Sequence, residues 1–497
     1  VVSARGNATD TLESILEKAA KNEVYTEQLE AFKREQTLVT PLIDFSKEFD
    51  RLERLFEGVS LLGDYSSKIK DEVLAQGELL SIKTVSELLE QKGIDANPTD
   101  ARVLLKTDEN FGNAQPINEV SKEKVTKYFE THNGNTVNVV TGFIASTLND
   151  ETTTLGRNGS NYTASLLANY LNAGELQNYT HVDGIFTANP DLVADAKKIE
   201  ELSFSEANEL ANFGANILHA KTIIPLLEKN INLRILNTFK PNDKGTLITS
   251  KSKLKGIKSL SILDNVALLN FEGRGLLGKV GVDARIFRAL SNQGISVSII
   301  SQGSSERGIG LVVDKENAEN AVKALELEFE NDFYTKDVNK ISILDDVSVI
   351  SIVGQDLSEF HHPYNALIKN QIVSLLFNNT ITGKNVSLIV KKSQLHKALN
   401  VIHGQVFGVA KKINIAVFGK GLVGGTLIDQ ILDSAKNILE RKKIQLNVFA
   451  IANSKQVLLS TTGANGEWRT ALDASEKNDT IVQSVIDYAK EHHLENL

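Results

Sequence analysis

Apolar residues recur at three- and four-residue spacings over residues 11–21, 45–57 and 68–92, the period of helices that bury one face. Past residue 136 the pattern changes. Short apolar runs at 137–140, 184–187 and 233–236 alternate with amphipathic stretches at 163–172 and 205–212. Strands alternating with helices predict an α/β layer domain with a largely parallel sheet, whose ligands gather at the loops beyond the C-terminal strand ends.

An internal repeat follows. Ser261-Ile-Leu-Asp264 returns as Ser342-Ile-Leu-Asp345, an offset of 81, and Val266 and Gly273 fall on Val347 and Gly354. Ile309-Gly-Leu-Val-Val313 lines up with Val386-Ser-Leu-Ile-Val390 at an offset of 77, so the second copy is four residues shorter. Each copy reads strand, helix, strand, strand, helix, with helices at 282–293 and 318–328 and then at 364–371 and 395–406. Paired small α+β units bind small ligands where they meet, which points to regulation, a duplicated spacer being the alternative. The pattern divides the chain at 1–250, 256–335, 340–410 and 411–497.

Composition narrows the class. The 497 residues exceed one core and suit two to four domains. Lys+Arg 54 against Asp+Glu 63 gives −9 with the charges interspersed, which provides no basic patch for nucleic acid or an anionic membrane. Cys 0 excludes disulfides, thiolate metal sites and a cysteine nucleophile. The His 9 are scattered without ligand spacing, so no metal site is expected, and GxSxG is absent. No apolar run reaches the ~20 residues of a membrane span and no signal peptide opens the chain; a cytoplasmic protein is the expectation. Met 0 and the opening Val1-Val2-Ser3-Ala4, which reads as a strand end, suggest a piece of a longer protein.

Gly419, Gly421 and Gly424 form GxGxxG after the apolar strand 413–418 and ahead of a helix at 426–435. In that context the glycines permit a tight turn, approach of backbone to a pyrophosphate, and close helix–strand packing, with Leu422 and Val423 in the loop. The next strand, 446–452, ends in Asn453-Ser454-Lys455 rather than an acid. A hydroxyl and a cation suit a 2′-phosphate, hence NADP(H). Gly273 to Val280 nearly spells a P-loop, but Val280 stands where Ser/Thr would hold Mg²⁺, and that reading is rejected. Thr154-Leu-Gly-Arg157-Asn-Gly159-Ser160-Asn161 is a small-residue turn opening a helix with an Arg placed to clamp an anion, an ordinary turn being the equal alternative. Glu78, beside Gly77 on a helix, reads by composition as a solvated carboxylate.

These blocks, in this order and joined by Val182-Asp-Gly-Ile-Phe-Thr-Ala-Asn-Pro190, Phe213-Gly-Ala-Asn-Ile-Leu-His219 and Ser301-Gln-Gly-Ser-Ser-Glu-Arg307, resemble the bifunctional aspartokinase–homoserine dehydrogenases over nearly the whole chain. The resemblance implies an α/β fold made of an amino-acid-kinase αβα sandwich, two ACT (ferredoxin-like α+β) units and the start of a Rossmann domain. It implies phosphorylation of L-aspartate by ATP with Mg²⁺, NADPH-dependent reduction of aspartate semialdehyde, threonine as effector, and a homodimer or homotetramer. By position, Glu78, Arg157 and Ser160 hold aspartate; Ser3, Gly159 and Ser160 line the phosphoryl-transfer site; and Thr180, His181, Phe186 and Asn216 contact the nucleotide. Gln302, Ser304 and Ser305 contact the effector, with the first copy dominant because Asn379 aligns with Gln302. The chain departs from that family at Asn161, His181, Asn189, Asp191 and Asn216, and it starts after the family's Lys-Phe-Gly-Gly-Thr-Ser loop. Residues 1–497 alone are therefore expected to turn over poorly as a kinase. The departures motivate a second reading, an amino-acid-sensing regulatory or oligomerisation protein with a kinase-like domain.

Overall fold

A computed structural model describes the chain except residues 133, 135, 214–218, 251, 253–255, 274–279, 303–307, 355–360, 381, 409–410, 443, 493 and 495–497. Two compact units emerge: Val1–Asn189, Lys197–Leu357 and Leu375–Lys391 form the first, while Pro190–Ala196, Ser358–Ser374 and Lys392–Leu497 form the second.

The first unit opens with four helices, α1 (Ala8–Ala20), α2 (Thr26–Leu38), α3 (Ser46–Leu62) and α4 (Ser67–Gln91). Leu12, Ile15 and Leu16 of α1 pack against Leu52, Phe56 and Val59 of α3 and Val73, Leu74 and Leu80 of α4, each set following the helical period. The apolar pattern of α2 is too sparse to announce a helix; Leu29 and Phe32 alone anchor it in this core. In contrast α4 is buried nearly all round, including Asp71, Gln76, Glu78 and Ser81, and polar groups in such a helix need a reason.

Behind α4 lie β1 (Ala96–Thr99), β2 (Lys106–Thr107), α5 (Asn118–Thr131), β3 (Val137–Val140), β4 (Ile144–Thr147) and β5 (Thr152–Thr154). β1 runs parallel to β3, β2 parallel to β4, and β4 antiparallel to β5. Val2 bridges Thr141 in parallel, as the strand-end reading of the first residues expects. The chain continues as α6 (Gly159–Tyr170), β6 (Glu175–Thr180), β7 (Glu201–Ser203), α7 (Phe204–Asn212), α8 (Ala220–Lys229), β8 (Asn232–Asn237) and β9 (Thr246–Thr249). β6 pairs parallel with β8 and β7 parallel with β9, whereas β8 and β9 are antiparallel. The sheets are thus mixed rather than mostly parallel, because the short β4–β5 and β8–β9 connections carry no crossover helix.

The repeat becomes one six-stranded sheet. β10 (Ile257–Glu272), β11 (Ile299–Gln302), β12 (Gly308–Asp314), β13 (Lys340–Gly354), β14 (Leu376–Asn379) and β15 (Asn385–Lys391) take the order β11-β12-β10-β13-β15-β14. Ser261 pairs with Ser351 and Asn270 with Ser342, so the repeated Ser-Ile-Leu-Asp segments lie on the two central antiparallel strands, one on each. Each long strand serves both halves: residues 266–272 of β10 pair with β12, while Ile257–Leu263 lie along the end of β13 that also meets β15. On the first copy, α9 (Val282–Asn292) and α10 (Ala318–Glu328) cover the sheet through Ile286, Leu290, Ala321 and Leu325, and the short α11 (Glu330–Tyr334) leads to β13.

In the second unit, α12 (His361–Lys369) and α13 (Leu395–Phe407) come before β16 (Lys411–Phe418), α14 (Leu422–Lys442), β17 (Ile444–Ala452), β18 (Val457–Leu459), α15 (Trp468–Asp473) and α16 (Ile481–Glu491). β16 and β17 are parallel with α14 between them, and β18 returns antiparallel to β17. Ile428 of α14, Val448 and Ile451 of β17, Trp468 and Leu472 form the core. Among the described residues no helix is long and apolar enough to cross a membrane.

Candidate active site

A cavity of about 660 Å³ opens where α6 begins, lined by Ser3, Asp10, Asp71, Glu78, Phe143, Arg157, Gly159, Ser160 and Asn161 among others. Five residues singled out in the sequence, Ser3, Glu78, Arg157, Gly159 and Ser160, therefore meet in one place although they come from three distant stretches of the chain. A second cavity of about 440 Å³ shares Ser3, Ser160 and Asn161 with it and runs along β6 to Tyr179.

The turn into α6 explains its own composition. Gly156 has φ +77° and Asn158 φ +58°, left-handed values that glycine and asparagine tolerate. A Cβ on Gly159 would stand 2.6 Å from the Phe143 ring, and one on Gly142 would stand 2.5 Å from Ser160, so helix and loop touch through glycines. Phe143 itself holds φ +66°, an unusual strain for a bulky residue, on the order of 1–2 kcal/mol. Its N–H donates to Thr163 Oγ1 at 3.1 Å and its carbonyl accepts from Leu155 N at 2.9 Å, which fixes it. The N-terminus of α6 has no side-chain cap and no acid in its first turn, leaving its positive end for an anion.

Glu78 is not the solvated carboxylate that composition suggests. It is 3% exposed, because α4 is wrapped by helices on one side and sheet on the other. Oε1 accepts from Ala4 N at 3.3 Å, while Oε2 is buried without a hydrogen-bond partner. Burial, only partly offset by that backbone bond, pushes its pKa up to about 7. The neighbouring Ser81 hydroxyl donates to Ser3 O at 2.7 Å and ties the first residues to α4. Arg157, by contrast, is exposed. Burial, then the charges of Lys221 and Arg157, hold the His219 ring below its ordinary pKa.

The proposed nucleotide residues lie farther along. Thr180 ends β6, where its hydroxyl accepts from Val182 N at 3.0 Å; exposed His181 follows, its carbonyl accepting from Asn237 Nδ2 at 3.2 Å. The Phe186 carbonyl accepts from Ser259 Oγ at 2.8 Å. Thr180, His181 and Phe186 line neither cavity. Asn216, Ser304 and Ser305 lie outside the described residues. Gln302 ends β11 opposite Ile309 with its side chain exposed.

In the second unit, Gly419 has φ +110° and its N–H donates to Ala452 O at 2.7 Å, joining the loop to the end of β17. A Cβ at Gly424 would lie 1.9 Å from Gly419 O, whereas at Gly421 it would meet nothing within 4 Å. Leu422 and Val423 are exposed, as are Ser454 and Lys455. Asn453 Oδ1 accepts from the backbone N–H of Lys455 at 2.7 Å and of Gln456 at 2.8 Å, which shapes that turn.

Sequence reading misses Asp71, Asn158 and Phe143. Asp71 hides in the charged run Lys70-Asp71-Glu72, and the one available signal is its spacing of seven from Glu78, two helical turns along one face.

Comparison with known proteins follows the same blocks. The amino acid kinase family matches residues 1–237, and an ACT domain matches 269–329. A bifunctional aspartokinase/homoserine dehydrogenase from Haemophilus influenzae is 32% identical over 100% of this chain. The chain spans 63% of that relative's length. Crystal structures of Escherichia coli aspartokinase III are similar: one in complex with aspartate and ADP (TM-score 0.70, 25% identity, 82% of this chain and 92% of that one), another with lysine and aspartate (TM-score 0.66, 26% identity, 82% and 92%). Over its whole length the chain is a homologue of the bifunctional aspartokinase/homoserine dehydrogenases, with an amino acid kinase domain followed by an ACT domain.

Proposed function

We propose that the protein is an aspartate kinase, transferring the γ-phosphoryl group of MgATP to the side-chain carboxylate of L-aspartate. The observation that carries this is the pairing of exposed Arg157 with buried Glu78 in one cavity. Aspartate is a zwitterion with a second carboxylate. A guanidinium fork takes a carboxylate, and a buried Glu with an unpartnered oxygen gains a partner from the ammonium. The Ser160 hydroxyl adds a donor. The side-chain carboxylate oxygen then attacks the γ-phosphorus, the bond to the ADP oxygen breaks, and the product is 4-phospho-L-aspartate. Two anions must meet, so the site needs positive charge and positioning rather than a covalent nucleophile. Ser3, Gly159 and Ser160 take the transfer position, Ser3 and Ser160 lining both cavities; the second cavity runs to Tyr179, next to Thr180, and Thr180, His181, Phe186 and Asn216 are assigned to the nucleotide. A similar structure that holds aspartate and ADP together supports this order.

The competing reading, a sensor with a kinase-like domain, rests on Asn161, His181, Asn189, Asp191 and Asn216. Hydroxylamine trapping separates the two. The full-length protein with MgATP and L-aspartate should yield the aspartyl hydroxamate; binding of both ligands without hydroxamate would make it a sensor.

We further infer that residues 411–497 begin an NADP(H)-binding domain that serves the reduction of aspartate semialdehyde. The β16–α14–β17 unit and the Gly419 turn support it and fit a dinucleotide: Gly424 lets the helix approach the turn, and open Gly421 leaves backbone free for a pyrophosphate. Ser454 and Lys455 would hold the 2′-phosphate. Gly424→Ala should therefore cost stability, about 1–3 kcal/mol. Gly421→Ala should leave stability unchanged and abolish NADPH binding. Lys455→Ala should weaken NADPH about tenfold and spare NADH. Fluorescence titration checks the cofactors, and equal losses of both in Lys455→Ala would refute the 2′-phosphate assignment.

The tandem repeat is proposed to sense threonine, with Gln302 as a side-chain contact in the first copy. Calorimetric titration of wild type against Gln302→Ala should show about tenfold weaker threonine binding in the variant. Equal binding would move the effector site elsewhere, and lysine binding without threonine binding would assign a different effector.

A further inference from the structure

We propose that Asp71 is a positioning residue of the aspartate site, fixing the turn that carries Arg157 by accepting hydrogen bonds from both segments that frame it. This rests on the reading of the cavity given above. Asp71 is 1% exposed on α4. Its Oδ2 accepts from Gly112 N at 2.8 Å and Thr154 N at 2.9 Å, and its Oδ1 accepts from Thr154 Oγ1 at 2.8 Å. The donors lie 41 and 83 residues away, one in the loop before α5 and the other the last residue of β5. These two segments also hold each other, since Ala114 N donates to Thr154 O at 2.9 Å.

The turn continues from Thr154 into Gly156 and Arg157, and the Gly112 loop backs it. A Cβ on Gly156 would lie 2.7 Å from Asn113 Oδ1 and 3.3 Å from Gly112 O, so the two backbones are in close contact. Lys221 Nζ closes the far side, donating to Asn113 Oδ1 at 2.5 Å and to Leu155 O at 3.4 Å. Arg157 thus projects from a turn fixed at Thr154 by Asp71, at Gly156 by the loop that Asp71 also holds, and at Leu155 by Lys221. Burial raises the Asp71 pKa while all three bonds to it lower it. A carboxylate facing a cavity meant for a dicarboxylate would repel it; here both oxygens are turned onto donors of the chain itself.

The test uses L-aspartate and ADP titrations and amide exchange on the full chain. Asp71→Ala should weaken L-aspartate about tenfold or more, keep ADP affinity within about twofold, and speed exchange in both 108–115 and 152–158. Asp71→Asn should recover most of the affinity, because its one carbonyl oxygen can take both amides while its NH₂ donates to Thr154 Oγ1. Thr154→Val, which keeps the fold's volume and one of the two Thr154 bonds, should cost about threefold and stands in if the alanine variant does not fold. Unchanged aspartate affinity in Asp71→Ala and Thr154→Val overturns the proposal, and so does an Asn variant as weak as the Ala variant. If wild type binds no aspartate, the reading of the cavity fails; the exchange result still judges whether Asp71 holds the turn.

Discussion

Replacing Arg157 with alanine should weaken L-aspartate binding by about 100-fold, the loss expected for a bidentate charge-assisted pair. Arg157 is exposed at the rim of the cavity, where it lines the space without supporting the core. The variant should therefore unfold at the wild-type temperature and keep its affinity for ADP. Arg157→Lys should recover only part of the loss, since an ammonium restores charge without the planar fork. Calorimetry with L-aspartate and with ADP reads both arms. Aspartate affinity unchanged in Arg157→Ala would remove this residue from the site.

Glu78 should give the protein a pH dependence of unusual direction. Its pKa is raised from 4.5 to about 7, so between those values the folded state binds a proton that the unfolded chain has released. Stability then falls as pH rises from about 4.5 to about 7, by up to about 3 kcal/mol, and the penalty is complete above that range. Glu78→Gln removes the ionisation with nearly the same shape. Wild type and variant should be alike near pH 4.5, and the variant more stable by about 3 kcal/mol at pH 8. Binding should run the other way. The ammonium of aspartate needs the ionised carboxylate, so wild-type affinity should rise about tenfold from pH 6 to pH 8, as the ionised fraction does. In Glu78→Gln it should be weak and flat. Denaturant titrations and calorimetry at those pH values check both; parallel stability curves for wild type and Glu78→Gln would show that Glu78 does not titrate in this range.

Arg157 and Glu78 differ in how plainly the sequence announces them, and the same contrast runs through the fold. Helical periodicity locates α1 and α3 because each buries an apolar stripe, and α4 because Val73, Leu74 and Leu80 join the same core. It passes over α2, which has Leu29 and Phe32 as its only buried apolar residues. The repeat is legible too: the two Ser-Ile-Leu-Asp segments that recur 81 residues apart lie on β10 and β13, the paired central strands of one sheet. That β10 and β13 each serve both halves is not legible, since strand exchange leaves no local pattern. At the cavity, Arg157, Gly159 and Ser160 announce themselves as a turn opening a helix. Composition misreads Glu78 as solvated because its burial comes from long-range packing of α4. Asp71 escapes notice for the same reason, its partners lying 41 and 83 residues away.

The most direct test of the central claim is calorimetric titration of L-aspartate into this chain at pH 8, beside Arg157→Ala and Glu78→Gln. The cavity of about 660 Å³ should take one L-aspartate per chain in wild type, with D-aspartate and succinate much weaker because neither presents carboxylates and ammonium together in that geometry. Both variants should lose most of the signal. No binding by wild type, or equal binding of succinate and L-aspartate with both variants unaffected, would contradict the assignment of this cavity to aspartate.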